Sequence, residues 1–563
     1  MITLKFGGTS VGNATNMRLV SDIIAHSSGR RIVVLSAMSK VTDKLNTAAQ
    51  RAENGDSTYT DVLEDIKQQH IAACGELLTQ SHQSGPLSQI IQHIHQLEEL
   101  LSSVFLLREL TPRVKDLVAS YGELLSSLLV SAHLKDRGIA HRWIDSREII
   151  VSDDQYGNAK ADLIATQANF SSKLDWNDLD ILIAPGFIAA NKTKHTTTLG
   201  RGGSDYSAAI YAYVSKSTEL QIWTDVSGMM TADPRICAKA STIATASYDE
   251  AMELSHFGAK VIYPPTLLPV MHENIPVRIK NTFEPSHPGT LITREVVKSD
   301  HLACGISSLS NIAMIQLEGS GMVGIPGFSA RLFDTLARQS INIILITQGS
   351  SEHSICIAVN EDDSDRACAA INQQFALEIH QQAVQPATPQ KKLSIIAIVG
   401  DQMKDHTGIS GRFFSALGKN GISIRAIAQG SSERNISAVI QSEDANKAIL
   451  VTHEAFFEAG RKEVHVVIAG LGNVGSKLVA QIEQQQNYLL EKLRIDLRIV
   501  GLVNSRHALL DSNGINLSTH AQVLDACPSQ TIQQVTDWLI ERNLRNSIFV
   551  DVTAQGDFIN HYT

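Results

Sequence analysis

Residues 1–290 alternate short apolar runs with longer helical stretches, a pattern typical of βαβ units around a mostly parallel sheet. Between about 60 and 138, apolar residues recur at three- and four-residue spacing, which predicts helices with a core-facing stripe. That stripe includes Leu97, Leu100, Leu101, Val104 and Phe105. Four apolar runs are predicted as strands: Ile2–Phe6, Arg31–Leu35, Ile181–Ala184 and Leu220–Thr224.

The stretch from about 305 to 455 contains an internal repeat. A shift of 81 residues places Gly327 on Gly408 and the sequence Gln348–Glu352 on Gln429–Glu433. Each copy has the pattern of a strand, a glycine turn, an amphipathic helix and an alternating strand, which predicts two copies of one small α/β module. Residues 381–392, with two prolines, have the composition of a linker.

A third pattern begins near residue 463. The apolar run Val464–Ala469 predicts a strand, and the glycine-rich turn Gly470–Gly475 leads into a predicted helix from Ser476 to about Gln485. Two further strands are predicted at Leu497–Val503 and Ser547–Val552.

Composition narrows the functional classes. The 563 residues suggest about four domains, and the net charge of −10 argues against nucleic-acid or membrane-surface binding. The six cysteines are scattered, without a Cys-x-x-Cys pair or a histidine cluster at zinc-ligand spacing, so we expect no metal site and a reducing compartment. No signal peptide and no run of 18 apolar residues are found, and we expect a cytoplasmic protein.

The first candidate site is Lys5-Phe6-Gly7-Gly8-Thr9-Ser10, directly after a predicted strand. Glycines let backbone N–H groups approach an anion, and the lysine supplies a positive charge for phosphate oxygens. A strand-to-helix glycine turn is structural about as often as functional, so this motif alone leaves both alternatives open.

The second candidate is the segment Gly200–Asp205, ahead of an alanine-rich helix predicted to start at about Tyr206. Arg201 can bind a carboxylate in bidentate fashion. Asp205 either contacts a ligand or is the helix N-cap. The N-cap alternative gives no reason for an arginine at position 201.

Two further segments suit a nucleotide. The run Trp223–Gly228 ends a predicted strand and leads to Thr231–Arg235, and the carboxyl ends of strands are where open α/β sheets bind ligands. Phe257–Lys260 places a lysine after a glycine turn.

Together with Ser120-Tyr121-Gly122-Glu123, these motifs occur in an order that resembles the aspartate kinases of the amino-acid kinase fold. The two repeats look like ACT domains, the regulatory modules of these kinases. The last 100 or so residues look like the opening of homoserine dehydrogenase, so the whole chain resembles the bifunctional family. The implied architecture is an amino-acid kinase domain over 1–295, ACT domains over 305–385 and 391–458, and an incomplete Rossmann unit over 462–563.

The resemblance implies transfer of the γ-phosphoryl group of MgATP to the side-chain carboxylate of L-aspartate. That carboxylate is ionised at neutral pH, so no general base is needed, and charge compensation and positioning must supply catalysis. By resemblance the central groups are Lys5, Asp205 and Lys260. The implied nucleotide contacts are Lys5, Gly7, Gly8, Ser10, Thr224, Asp225, Met230, Arg235 and Lys260, and the implied aspartate contacts are Ser39, Thr42, Glu123, Arg201 and Ser204.

In threonine-inhibited relatives a glutamine at the position of Gln348 and Gln429 contacts the effector, so the resemblance implies L-threonine as the inhibitor. A favourable turn would explain the glycine and serines of both copies but not the repeated glutamine. Because ACT modules associate across subunits, a homodimer or homotetramer is expected by resemblance.

The glycine turn predicts dinucleotide binding, and the absence of an acidic residue after the second strand favours NADP(H), because Arg506 suits a 2′-phosphate. An ordinary surface arginine is an equal alternative. The predicted contacts are Gly470, Gly472, Asn473, Val474, Gly475, Arg506 and Thr553.

Homoserine dehydrogenases continue well beyond Phe549–Thr553, so we expect no dehydrogenase activity from these 563 residues. Two other functions stay open: another amino-acid kinase of the same fold, and a non-catalytic amino-acid sensor. Turnover of ATP separates the sensor from both kinases.

Overall fold

The computed structural model describes residues 1–174, 176, 179–256, 262–294, 302–322, 326–348, 353–404, 406–429, 434–458 and 462–554. The chain divides into two compact units. The first comprises 1–230 and 242–298, and the second comprises 231–241 and 299–563.

The first unit is built on an eight-stranded, mostly parallel sheet with the order β3-β5-β2-β1-β8-β10-β11-β9. A smaller sheet has the order β4-β6-β7. The strands are β1 (Ile2–Phe6), β2 (Arg31–Leu35), β3 (Arg142–Trp143), β4 (Val151–Ser152), β5 (Ile181–Pro185), β6 (Ile188–Asn191), β7 (Thr196–Thr198), β8 (Glu219–Thr224), β9 (Thr245–Ser247), β10 (Val277–Asn281) and β11 (Thr290–Thr293). The helices are α1 (Ala14–His26), α2 (Val41–Asn54), α3 (Tyr59–Leu77), α4 (Ser84–Leu107), α5 (Pro112–Asp136), α6 (Leu163–Lys173), α7 (Gly203–Ser215), α8 (Tyr248–His256) and α9 (Leu268–His272).

All four strands predicted in this part of the chain are present, three of them in the centre of the large sheet. β1 is parallel to both β2 and β8, so the carboxyl ends of these strands meet at one edge of the sheet. The predicted helical stretch forms α3, α4 and α5, with Leu97, Leu101 and Val104 buried in the core.

Helix α5 is the single helix among the described residues that is long and apolar enough to cross a membrane. Of its most apolar stretch, 78% is buried inside the fold, as expected for a core helix.

Helix α7 begins at Gly203, three residues before the predicted start. The cause is Gly202, which is the N-cap with a φ of 68°, a left-handed conformation that glycine adopts without strain. Asp205 lies in the first turn of the helix, so its alternative interpretation as the N-cap is wrong.

The second unit contains a six-stranded antiparallel sheet with the order β13-β14-β12-β15-β17-β16. Its strands are β12 (Gly305–Glu318), β13 (Ile343–Gln348), β14 (Ser354–Asn360), β15 (Pro389–Val399), β16 (Ile424–Gln429) and β17 (Asn435–Gln441). Its helices are α10 (Phe328–Arg338), α11 (Ser364–Gln374), α12 (Ala376–His380), α13 (Ile409–Lys419) and α14 (Ala445–Phe457).

This sheet confirms the internal repeat. Each copy contributes three strands, and the copies join where β12 pairs with β15. Gly327 and Gly408 are both helix N-caps with positive φ, 95° and 86°. The predicted linker ends early, because β15 already begins at Pro389.

The remainder of the second unit is a four-stranded sheet with the order β20-β19-β18-β21. Its helix α15 starts at Asn473, directly after the glycine turn, rather than at Ser476 as predicted. The elements are β18 (Lys462–Ala469), α15 (Asn473–Lys492), β19 (Ile495–Val503), β20 (Ala508–Leu510), α16 (His520–Leu524), α17 (Ile532–Arg542) and β21 (Ser547–Asp551).

Candidate active site

A cavity of about 530 Å³ opens at the carboxyl edge of the large sheet in the first unit. The turns after β1 and β8, the start of α2 and the start of α7 form its walls. Its lining includes ten of the residues predicted for catalysis, nucleotide or aspartate: Lys5, Gly7, Gly8, Ser39, Thr42, Glu123, Ser204, Asp205, Thr224 and Asp225.

An ion pair lies in this cavity. The Nζ atom of Lys5, from the end of β1, is 2.6 Å from Oδ1 of Asp205 in the first turn of α7. Both residues are 9% exposed, so water screens the pair only weakly. The pair therefore holds a lysine charge in place beside the glycine turn.

The glycine turn packs tightly against its neighbours. A Cβ atom at Gly8 would lie 3.2 Å from the carbonyl oxygen of Ala37. The N–H of Gly7 donates to the carbonyl of Trp223 at 3.0 Å, which joins the ends of β1 and β8. That N–H donor is already used within the sheet, and the nucleotide contact of Gly7 stays a prediction.

Ser10 is fully buried behind the turn rather than in the cavity. Its hydroxyl lies 2.8 Å from Oγ1 of Thr282. In this structure Ser10 fixes the turn against the end of β10, and its contact with a nucleotide stays a prediction.

Glu123 brings a carboxyl group into the same cavity from helix α5. The residue is 4% exposed, and among the described residues its Oε2 atom has no hydrogen-bond partner. Burial raises the pKa of Glu123 to about 8, against the opposing effects of backbone hydrogen bonds and of Lys5. A buried carboxyl with one oxygen atom left unpaired is suited to bind a cation.

Arg201 lines an adjoining cavity of about 500 Å³, and Phe187 and Gly200 contribute to both cavities. Its guanidinium group lies 5.7 Å from the ring centre of Tyr263. Sequence reasoning missed Phe187, whose φ of 65° is unusual for a bulky residue and typical of a constrained site. No sequence signal marks it beyond the preceding Pro185-Gly186 pair.

Lys40 and Asp43, at the start of α2, also line the main cavity and were not predicted. Lys40 has a φ of 65° at the N-cap position of α2. Their proximity depends on β1 and β2 being adjacent, which local sequence patterns do not specify.

Three predicted nucleotide contacts are not among the described residues that line this cavity. Met230 does not line the cavity, and its sulfur accepts a hydrogen bond from Oγ1 of Thr242 at 3.6 Å. Arg235 belongs to the second unit, where its guanidinium pairs with Asp233 at 2.6 Å. Lys260 lies outside the described residues.

The two predicted effector residues occupy equivalent positions. Gln348 ends β13 and Gln429 ends β16, the two edge strands of the six-stranded sheet, and both side chains are exposed. Oε1 of Gln429 accepts a hydrogen bond from Ser410 at 3.2 Å. Most of the turn that follows each glutamine, 349–352 and 430–433, lies outside the described residues.

The glycine turn after β18 has the geometry that dinucleotides require. Gly470 has a φ of 97°, and a Cβ atom at Gly475 would lie 1.8 Å from the carbonyl oxygen of Gly470. A Cβ atom at Gly472 would meet no described atom within 4 Å, which leaves room for a pyrophosphate at the start of α15. Arg506 is exposed after β19, Val474 is 65% exposed at the start of α15, and Thr553 packs against Gly470.

The second unit also contains a buried ionic cluster that no motif predicted. Glu458 lies 2.7 Å from Lys239 and 3.4 Å from Arg545, and Glu463 lies 3.0 Å from Lys239 and contacts Arg545. His453 joins it through Glu458 at 3.3 Å and through Thr231, whose hydroxyl is 3.0 Å from Nε2 of His453. The cluster thus ties the segment 231–241 to α14 and β18.

Part of this cluster could hold a metal ion. Ligand atoms of Cys237, His453 and Glu458 lie within 4.8 Å of one another, a grouping that the scattered cysteines did not predict. Lys239 and Arg545 already neutralise Glu458, so the carboxylate has no need of a metal ion as counter-charge. All six cysteines are free thiols.

An ion-paired lysine and a glycine turn at the carboxyl edge of a parallel sheet, joined in one chain to two repeated modules, define an amino-acid kinase with ACT-type regulatory domains. Family models agree: the amino acid kinase family matches residues 1–281, the ACT domain matches 315–375 and 396–456, and the NAD-binding domain of homoserine dehydrogenase matches 470–563.

Curated relatives identify the particular family. Bifunctional aspartokinase/homoserine dehydrogenase of Haemophilus influenzae is 36% identical over 98% of this chain and 68% of its own length. Bifunctional aspartokinase/homoserine dehydrogenase 1 of Arabidopsis thaliana is 36% identical over 99% of this chain, which spans 62% of that relative. E. coli aspartokinase III in complex with aspartate and ADP superposes with a TM-score of 0.69 at 28% identity, over 81% of this chain and 99% of that one. The chain belongs to the family of bifunctional aspartokinase/homoserine dehydrogenases.

Proposed function

We propose that this chain transfers the γ-phosphoryl group of MgATP to the side-chain carboxylate of L-aspartate, giving 4-phospho-L-aspartate. The observation that carries the proposal is the Lys5–Asp205 pair, held at 2.6 Å in a cavity that also contains the buried Glu123, whose Oε2 atom has no partner among the described residues. A fixed cation offsets the negative charge that phosphates and a carboxylate bring together. The kinship to a kinase solved with aspartate and ADP supports the same reaction.

We assign the recognition of aspartate to two opposite charges. Glu123 binds the α-ammonium group, because the Oε2 atom of its buried carboxyl has no partner among the described residues. Arg201 binds the α-carboxylate, since a guanidinium forms two parallel hydrogen bonds with such a group. The hydroxyls of Ser39, Thr42 and Ser204 line the cavity that contains Glu123, next to the cavity of Arg201, and complete the aspartate site.

The reaction needs no general base, because the accepting carboxylate is ionised at neutral pH. Lys5 compensates charge near the transferred group, and Asp205 keeps the Lys5 ammonium in position. Thr224 and Asp225 contact the nucleotide from the end of β8. Lys260 is proposed as a second cation, and Mg²⁺ bound with ATP would neutralise phosphate oxygens.

Trapping of the acyl phosphate with hydroxylamine tests the acceptor. Incubation with MgATP, hydroxylamine and L-aspartate should give aspartyl hydroxamate, while L-glutamate and N-acetyl-L-glutamate should give little. Hydroxamate formed equally from glutamate would favour another amino-acid kinase of this fold. No hydroxamate with any acceptor would favour the amino-acid sensor.

We further propose that L-threonine inhibits the kinase through Gln348 and Gln429, and that the ACT modules join subunits into a dimer or tetramer. The equivalent placement of both glutamines at edge-strand ends supports an effector site. E. coli aspartokinase III has been solved with lysine and aspartate, so lysine is the effector to compare with threonine.

For the module at 462–563, we propose NADP(H) as the dinucleotide. The close approach of Gly475 to Gly470 and the open face of Gly472 fit a pyrophosphate, and Arg506 suits a 2′-phosphate. When bound, the nicotinamide would supply hydride for the reduction of aspartate semialdehyde to homoserine in the whole protein.

A further inference from the structure

Asp116 is a buried carboxylate that the proposed reaction does not use. It is 3% exposed on α5 and accepts three hydrogen bonds. Its Oδ2 atom accepts from the N–H of Gly157 at 2.9 Å and from the N–H of Thr198 at 2.8 Å. Its Oδ1 atom accepts from the Thr198 hydroxyl at 2.9 Å.

These bonds attach α5 to the segment that leads to Arg201. Thr198 ends β7 and lies three residues before Arg201 in the chain. The turn at Gly200 packs against Gly157, which is itself hydrogen-bonded to Asp116. A Cβ atom at Gly200 would lie 3.1 Å from the carbonyl oxygen of Gly157. The N–H of Gly203, at the start of α7, donates to the carbonyl of Gly200 at 2.9 Å.

Glu123 lies on the same helix as Asp116. Asp116 and Glu123 are seven residues apart on α5, which is two turns and about 10 Å along one face of the helix. One helix therefore carries both the carboxyl proposed for the ammonium of aspartate and the carboxylate that anchors the turn holding Arg201.

We propose that Asp116 is a positioning residue for substrate recognition: it sets the distance between Glu123 and Arg201, and so selects a ligand with an ammonium and a carboxylate on one carbon. The inference rests on the proposed function. Misplacement of a binding group by about 1 Å is enough to reduce productive binding strongly. Burial raises the pKa of Asp116, and the three donors oppose that shift.

The test compares Asp116→Ala with Asp116→Asn in the full chain. Alanine removes both acceptor oxygens and with them all three hydrogen bonds, so the KM for L-aspartate should rise about ten- to a hundredfold while the KM for ATP stays within about twofold. Asparagine keeps an oxygen for the two N–H donors and can donate its amide to the Thr198 hydroxyl, so it should restore the KM to within about threefold.

A substrate analogue without an α-carboxylate tests whether the effect of Asp116→Ala acts through Arg201. L-aspartic acid α-amide keeps the ammonium and the accepting carboxylate but lacks the α-carboxylate, so the penalty of Asp116→Ala should shrink with it. The matched control is Asp136→Ala, which removes a carboxylate on the same helix that accepts from the N–H and hydroxyl of Thr79 at 2.8 and 2.7 Å. This control should leave the aspartate KM unchanged.

The proposal is overturned if folded Asp116→Ala keeps the wild-type aspartate KM, if both KM values rise together, or if asparagine is as damaging as alanine. If the alanine variant does not fold, Thr198→Val provides the test, because it removes the hydroxyl that donates to Asp116. A rise of about threefold in the KM for aspartate alone supports the proposal, and an unchanged KM overturns it. Calorimetric Kd values for aspartate report the same differences without turnover. An inactive wild type would therefore defeat the proposed kinase activity and leave the role of Asp116 testable.

Discussion

The Lys5 ammonium and the Asp205 carboxylate lie 2.6 Å apart, although 200 residues separate them in the chain. Lys5 ends β1 and Asp205 lies in the first turn of α7, so the pair depends on the carboxyl edge of the sheet and the start of α7 being packed together. Two partly buried charges in this position keep a cation fixed before any substrate binds.

Replacement of Lys5 tests this arrangement. Lys5→Met should lower kcat for aspartate-dependent ADP release by about 10²- to 10³-fold, because a preorganised charge is lost from the transition state. Asp205→Asn should lower kcat less, since the lysine remains but is no longer held. Lys67→Met removes an exposed lysine paired with Glu64 at 2.9 Å and should have no effect. Full activity of Lys5→Met would contradict the assignment.

Binding of aspartate should release a proton through Glu123. The pKa of the free Glu123 carboxyl is raised to about 8 by burial, so the group is mostly protonated at pH 7. An ammonium group beside it stabilises the carboxylate and lowers its pKa, so about one proton should be released per aspartate bound at pH 7. Affinity should accordingly increase as the pH rises from 6 to 8.

Calorimetry in two buffers of different ionisation enthalpy measures that proton directly. Glu123→Gln should bind aspartate more weakly and release no proton. Proton release that persists in Glu123→Gln would assign the titrating group elsewhere.

The two glutamines predict a regulatory phenotype. Gln348→Ala or Gln429→Ala should relieve inhibition by L-threonine and leave kcat without inhibitor nearly unchanged, because both side chains belong to the second unit and neither lines the cavity of the first. Inhibition curves with threonine and with lysine, and with Gln339→Ala as an exposed control, measure the effect. Unaltered inhibition in both variants would remove the glutamines from the effector site.

Removal of one charged side chain from the buried ionic cluster should destabilise the second unit. Arg545→Met leaves the Glu458 and Glu463 carboxylates without a major partner, and loss of one member of a buried pair typically costs about 3–5 kcal/mol. Hydrogen exchange in α14 and β18 should accelerate accordingly. Arg338→Ala breaks an exposed pair with Asp334 and should change exchange hardly at all. Equal behaviour of the two variants would contradict a structural role for the cluster.

The same cluster predicts a pH window. Burial raises the pKa of Glu458, but His453, Lys239 and Arg545 outweigh burial and lower this pKa to about 2. The stability that the ionised Glu458 contributes to the fold is therefore lost as the pH falls from 4.5 towards 2. Burial lowers the pKa of His453, but Cys237 and Glu458 outweigh burial and raise this pKa to about 9. The stability that the protonated His453 contributes to the fold is therefore lost as the pH rises from 6.5 through 9. Protection of α14 should therefore be greatest between pH 4.5 and 6.5. Monotonic loss across that range would contradict the network.

Local patterns predicted the elements better than they predicted the contacts. The β1 strand, the repeated modules and the glycine turn at Gly470 follow from periodicity and turn chemistry, which neighbouring residues determine. Phe187 was missed because it lies against Gly203, and this contact joins segments that local patterns do not relate. Arg235 was assigned to the nucleotide by resemblance, and the segment 231–241 that carries it belongs to the second unit, so this contact stays a prediction.

Charged residues were the least predictable part. Lys239, the neighbouring pair Glu458 and Glu463, and Arg545 come from three separated parts of the chain, and no spacing rule links them. The Lys5–Asp205 pair was expected by resemblance, whereas its 2.6 Å separation depends on the crossing of β1 and α7.

The most direct test of the account is ADP release from MgATP by the full chain, with and without L-aspartate, in a coupled assay that needs no dehydrogenase. The account predicts ADP release that depends on aspartate, is suppressed by millimolar L-threonine and is absent from Lys5→Met. ADP release that is independent of aspartate, or none from a folded chain, would contradict it.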